Sequence, residues 1–205
     1  MNVRPQPVVV ASGNKGKLAE IRQILPAAQF TIRPQSEFGI EAVEETGETF
    51  LANALLKARH AASETGMIAI GDDSGLMVDA LGGEPGIRSA RYAGLDASDD
   101  DNITKLLGAL LEVDSSDRSA RFHCVVVLVF PDLAKEPLVA SGEWQGEIAT
   151  SRSGKGGFGY DPVFFEPELG KCAAEMTSDE KNARSYRGEA FRRLAALLTG
   201  EEFLQ

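Results

Sequence analysis

Cysteine and histidine are nearly missing from this 205-residue chain, which carries only Cys124, Cys172, His60 and His123. Two cysteines cannot build a disulfide framework, and so few thiols and imidazoles leave no cluster for zinc. Both cysteines read as small buried hydrophobes. Long apolar runs are missing too. The longest, Cys124 to Phe130, falls far short of the roughly 20 residues needed to span a bilayer, and no apolar stretch follows the opening Met-Asn-Val-Arg-Pro. Positive charge is in deficit, with 21 Lys and Arg against 31 Asp and Glu and a net charge of −10. Such a surface repels polyanions, so neither nucleic acid nor an anionic membrane is an expected partner. A reducing cytoplasm is the expected location.

A hydrophobic content of 43% with 25% charged residues is ordinary for a globular chain and argues against wholesale disorder. No internal repeat, low-complexity tract or linker divides the sequence, and its length suits one α/β domain. Pro7 to Ala11 reads as a buried strand entering Ser12-Gly13, followed by an amphipathic helix from Lys17 to Leu25 that stops before Pro26. Phe30 to Arg33 is a second strand, and Ser36 to Gly47 an acidic loop. Thr49 caps a helix through Phe50, Asn53, Ala54, Lys57, Ala58 and His60. Met67 to Ile70 is a short strand, with Gly71-Asp72-Asp73-Ser74-Gly75 expected as the turn at its carboxyl end, where open α/β sheets bind ligands.

Ser98 with Asp99, Asp100 and Asp101 starts an acidic-capped helix through Leu111, and a solvated cap is a sufficient reading of those acids. Arg121 to Phe130 and Leu138 to Ile148 are long strands, the first apolar on both faces and hence central. Gly154 to Gly159 holds four glycines in six residues, suiting close backbone approach to a ligand. A helix starts near Ser178, and a last one runs from Glu189 to Leu198 and stops at Gly200.

Three segments carry candidate chemistry. Ser12-Gly13-Asn14-Lys15-Gly16-Lys17 offers backbone N–H groups opening a helix, plus two lysines, which together attract phosphate. It departs from the P-loop, since Ala11 replaces the first glycine and Leu18 the metal-binding hydroxyl. Asp72 and Asp73 are adjacent, so their side chains diverge, one toward a pocket and one into the loop. With Glu44 from the acidic loop they suit magnesium, a hard cation that takes one or two carboxylates plus substrate oxygens. A self-bonded Asp-Ser-Gly turn and a surface glutamate are the plainer alternatives. Phe158 and Tyr160, followed by Asp161-Pro162, offer ring faces for a purine and a carboxylate for its ring N–H groups, or else plain core. Lys181, Arg184 and Arg187 form a late basic cluster.

Ser12 to Lys17, Glu44-Glu45-Thr46-Gly47, Phe50 with Asn53 and Lys57, Asp72 to Leu76, Gly82-Gly83-Glu84-Pro85-Gly86, Gly156 to Phe165 and Ser185-Tyr186-Arg187 occur in the order seen in the inosine/xanthosine triphosphate pyrophosphatase family. The chain resembles that family over nearly its whole length. The resemblance implies an α/β fold, a single domain over residues 1–205 with an elongated mixed sheet and helices on two lobes flanking a central substrate cleft, assembled as a homodimer. It implies magnesium-dependent hydrolysis of deaminated purine nucleoside triphosphates such as ITP, dITP and XTP to the monophosphate plus pyrophosphate. By motif, Ser12, Gly13, Asn14, Lys15, Gly16 and Lys17 would hold the triphosphate. Asp73 would be base and metal ligand, with Glu44 a second ligand. Ser74, Phe158, Gly159, Tyr160, Asp161, Lys181, Tyr186 and Arg187 would line the substrate site. The family usually has Ser-His-Arg where this chain has Ser185-Tyr186-Arg187, so a phenol replaces a purine-side imidazole. Turnover-free nucleotide sensing, or cleavage of other modified nucleotides, are the alternatives.

Overall fold

Strand-forming and helix-forming patterns alternate along the first third of the chain, and they fold as β1 (Gln6–Val10), α1 (Lys15–Ile24), β2 (Phe30–Pro34), α2 (Phe50–Thr65) and β3 (Ala69–Val78). The computed structural model describes residues 5–27, 29–132 and 134–198. β1 lies parallel to β2, with Val8 opposite Ile32, and parallel to β3, with Val9 opposite Ala69. Parallel strands need both faces covered, and Val8, Val9 and Val10 are accordingly buried. α1 starts at Lys15, earlier than the expected Lys17, because the Asn14 side chain accepts the Lys17 N–H at 3.0 Å and takes the N-cap.

The helix α2 is capped by Thr49, whose hydroxyl accepts the Ala52 N–H, and it ends on Gly66 at φ 63°. Its inner face is alanine: Ala54, Ala58, Ala61 and Ala62 pack in one cluster with Val9, Val125, Val127 and Val129. Side chains this small let the helix backbone lie close on the sheet. The contact is tight enough that a Cβ on Gly71 would stand 2.2 Å from the Ala54 carbonyl oxygen.

That packing corrects one expectation. Gly71 to Gly75 is not a turn; β3 continues through it to Val78. The two glycines that suggested a turn serve instead as clearance inside a strand. Gly71 makes room for α2, and a Cβ on Gly75 would meet the Gly86 carbonyl oxygen at 2.1 Å.

The rest comprises α3 (Asp99–Ala109), β4 (Ser119–Val129), β5 (Leu138–Ile148), β6 (Phe164–Glu166), β7 (Lys171–Cys172), α4 (Ser178–Arg184) and α5 (Tyr186–Leu198). The strand order is β2-β1-β3-β4-β5-β6-β7. β4 is central, as its apolar faces require. β5 with β6 and β6 with β7 are antiparallel, so the sheet is mixed. The last two strands are too short to leave a period in the sequence. α5 begins at Tyr186 rather than Glu189, and its expected stop at Gly200 lies outside the described residues.

The chain divides into two compact units, one of residues up to Asp73, Cys124–Gly142 and from Tyr186 on, the other of Ser74–His123 and Glu143–Ser185. β3, β4 and β5 each give residues to both. In the first unit α1 packs on α5. The second has an aromatic centre in which the Phe164 ring lies 4.7 Å from Phe122 and 4.9 Å from Trp144. There the Trp144 Nε1–H donates to Glu166 at 2.6 Å, so the buried indole and the buried acid satisfy each other. No helix among the described residues is long and apolar enough to cross a membrane.

Candidate active site

Because β3 is extended where the two aspartates sit, Asp72 and Asp73 point to opposite faces of the strand. Asp72 is 1% exposed, and its Oδ2 accepts from Lys17 Nζ at 2.8 Å, with Arg187 Nε 3.8 Å away. Burial alone would raise its pKa, but the charges of Lys17, Arg187 and Lys57 prevail and bring it down to about 2. Arg187, fully enclosed, also pairs with Glu20 and donates to the Tyr186 hydroxyl at 3.2 Å. Asp72 is thus the acidic centre of a buried network of positive charges.

Asp73 meets different company. Asn53 Nδ2 donates to its Oδ2 and Lys57 Nζ to its Oδ1, both at 3.2 Å. Asn53 and Lys57 stand four apart on α2 and so share one helix face. Lys57 also donates to Glu45 at 2.7 Å, while Asn53 Oδ1 accepts the Gly47 N–H at 2.8 Å and ties the acidic loop to the helix. Burial pushes the Asp73 carboxyl above its ordinary range, and the Glu45 charge adds to this, although Lys57 pulls the other way. Lys57 gains from the same acids: burial opposes its charge, yet Asp72, Asp73 and Glu45 raise its pKa overall.

At the loop before α1, Ser12 Oγ accepts the Asn14 N–H and Asn14 caps the helix, which leaves Gly13 and Lys15 exposed. The two lysines therefore differ. Lys15 faces solvent at a helix N-terminus, whereas Lys17 is held by Asp72.

In the second unit Asp161, buried, accepts from Lys181 Nζ at 2.5 Å and from the Phe158 N–H at 2.9 Å on the same oxygen. The Lys181 ammonium stands 4.8 Å from the Phe158 ring centre. Gly157 is at φ 73°, and a Cβ there would sit 1.9 Å from the Asp161 carboxylate, so only glycine lets this knot close. The two aromatics of the segment separate. Phe158 is half-buried, whereas Tyr160 is buried with its hydroxyl donating to the Ser89 carbonyl at 2.9 Å, and burial pushes its phenol up. Tyr160 is a buttress rather than a stacking ledge. Ser74 is half-buried on β3.

The model of the Ham1 family matches residues 8–197. This chain belongs to the Ham1 family. It is 55% identical to a dITP/XTP pyrophosphatase of Pectobacterium atrosepticum over 92% of this chain and 96% of that one. It is 53% identical to another so named from Escherichia coli O157:H7, with the same coverage. A solved HAM1 protein from Coxiella burnetii superposes with a TM-score of 0.87 at 48% identity, covering 95% of this chain and 98% of that one. The Staphylococcus aureus Ham1 protein gives 0.84 at 44% identity, covering 96% and 100%. The family resemblance read from the motifs is therefore correct, and so is the mixed α/β fold.

Several residues of this Ham1 chain acquire roles that sequence reasoning did not give them. Asn53 and Lys57 were visible at helical spacing, but their target was not. Glu45 rather than Glu44 reaches Lys57, while Glu44 is exposed. Nothing in two adjacent glutamates distinguishes the one that turns inward to Lys57; the Asn53–Gly47 hydrogen bond ties the same loop to α2. Glu20 is a helix-surface acid by pattern, and only the fold brings it to Arg187.

Asp73 and Glu45 are oxygen donors of the type a hard divalent ion takes, though both already accept from Lys57. Asp73 and Glu45 already share one positive charge, that of Lys57. Among the described residues no three His, Cys, Asp or Glu side chains could form a cage of their own. An ion here would complete its shell with water and ligand oxygens, as magnesium does.

Proposed function

We propose that this chain hydrolyses deaminated purine nucleoside triphosphates, ITP, dITP and XTP, to the monophosphate and pyrophosphate, removing them from the nucleotide pool. The observation that carries the reading is Asp73: a buried carboxylate with raised pKa, held by Asn53 and Lys57 on the face of β3 opposite Asp72. A carboxylate fixed in this way by two donors can orient a water and take its proton. The names of the relatives, dITP/XTP pyrophosphatase, supply the substrate class.

In this reading Asp73 orients the attacking water and accepts its proton as the oxygen adds to the α-phosphorus. Ser12, Gly13, Asn14, Lys15 and Gly16 receive the phosphates through backbone N–H groups and the Lys15 charge. Lys17 acts on the phosphates only through what Asp72 leaves of its charge. Phe158 offers the ring face for the base, and Lys181 and Asp161 fix that ring and present polar atoms beside it. Gly159 and Tyr160 shape the same segment, Ser74 belongs to the substrate site by motif, and Arg187, with Tyr186 accepting from it, sets the charge beside Asp72 and Glu20. Magnesium, held by Asp73 with Glu44 and Glu45, would neutralise phosphoryl oxygens and the departing pyrophosphate. A homodimer in the cytoplasm completes the proposal; the two free, buried cysteines suit a reducing compartment, and sedimentation equilibrium reads the assembly.

The test is a panel of ITP, dITP, XTP, GTP and ATP with magnesium and identification of products. Pyrophosphate and monophosphate from the first three are expected. Orthophosphate as the primary product, or tight binding without turnover, would defeat the reading.

A further inference from the structure

The three acids that open α3 do not share one job. Asp101 completes a capping box, accepting the Ser98 N–H at 2.9 Å. Asp100 and Asp99 turn instead to the glycine-rich segment. Arg152 pairs with Asp100 at 2.9 Å and donates to the Thr104 hydroxyl at 2.7 Å, which fastens the segment's leading end to α3. Asp99 Oδ2 accepts the Gly159 N–H at 2.6 Å.

We propose that Asp99 is a positioning residue for Phe158 and thereby for recognition of the base, an inference that rests on the pyrophosphatase reading above. Phe158 lies between Gly157 at φ 73° and Gly159 at φ 59°. Glycines in the left-handed region leave the chain free to swing about either neighbour, so local sterics do not hold the ring between them. Two carboxylates do. Asp161 takes the N–H of Phe158 itself, and Asp99 takes the next N–H along. One anchor lies within the segment; the other comes from α3. Removing Asp99 frees the peptide after Phe158 while Asp161 and Lys181 stay in place, so the ring keeps those two anchors but loses the one from α3, and its orientation loosens while the pocket chemistry is kept.

The consequence belongs to the base and not to the phosphates. In Asp99→Ala the KM for dITP rises about tenfold, the loss expected for one charge-assisted hydrogen bond, with kcat changed by less than about twofold. Inorganic tripolyphosphate, which has no base, competes with an unchanged inhibition constant. Asp99→Asn, whose side-chain carbonyl still accepts, returns KM to within about threefold of the starting protein. The Gly159 amide resonance moves in Asp99→Ala and returns toward its original position in Asp99→Asn. An unchanged KM in Asp99→Ala, a parallel weakening of tripolyphosphate, or no rescue by asparagine overturns the proposal. A wild-type protein that releases no pyrophosphate from dITP overturns the underlying reading and takes this inference with it.

Discussion

At the scale of single residues, two neighbouring aspartates carry opposite duties because an extended strand turns them apart. Asp73→Asn keeps the volume and can keep one acceptor for Asn53, while its amide N–H turns toward Lys57; it removes the proposed base, so turnover falls by about 10²- to 10⁴-fold, far more than the modest fall in the unfolding midpoint accounts for. A steady-state assay beside a thermal melt separates the two effects. Lys17→Met acts on the other side. It strips the nearest counter-charge from an aspartate that stays buried, and breaking such a pair costs about 3 kcal/mol. Lys17→Met combined with Asp72→Asn recovers about half of that loss, because the uncompensated charge is gone. Denaturant titrations of the four proteins close the cycle. Recovery of nothing would mean that Lys17 stabilises the fold by packing alone.

At the scale of elements, close approach of backbone to backbone is what brings Asn53 and Lys57 to Asp73. Gly71→Ala puts a Cβ 2.2 Å from the Ala54 carbonyl oxygen, so α2 must lift from β3 at a cost of about 2 kcal/mol. Turnover falls with it, although residue 71 touches no substrate. The periodic signals of α1, α2, β1 and the central β4 were legible because burial imposes them on the sequence. The course of β3 was not, since glycine as clearance and glycine as turn are written with the same letter. Nor was the inward turn of Glu45, on a loop that a hydrogen bond from Gly47 ties to a helix that follows it. α4 gives a pH test. Glu180 accepts from Lys171 and completes its capping box with Thr177, hydrogen bonds that lower its pKa from an ordinary 4.5 to about 2. A depressed folded pKa means stability present above the ordinary value and lost as pH falls through about 2. The wild-type protein therefore melts above Glu180→Gln near neutrality, and the gap closes between about pH 4.5 and 2.

At the scale of the whole molecule, a chain of net charge −10 must hold a guest that is itself a polyanion. Lys15 and the helix N-terminus supply local positive potential, but Asp73, Glu44 and Glu45 oppose it, so binding of a triphosphate near those acids calls for a further cation. Folding does not. Lys57 sits between Asp73 and Glu45 and already offsets part of their charge from within the chain. The two demands separate under chelation. With excess chelator, hydrolysis of dITP falls to background, while the unfolding midpoint of the ligand-free protein moves by less than about 1 °C, under the roughly 2–4 °C that 1 kcal/mol produces in a domain this size. Added magnesium restores turnover without raising the midpoint of that ligand-free protein. Lys57→Met reverses the pattern: the paired acids lose their internal counter-charge, so the midpoint falls, and magnesium now raises it by binding the folded state in the lysine's stead. Full activity after exhaustive chelation would show that the lysines alone carry the phosphate charge, and Asp73 would then act without an ion beside it.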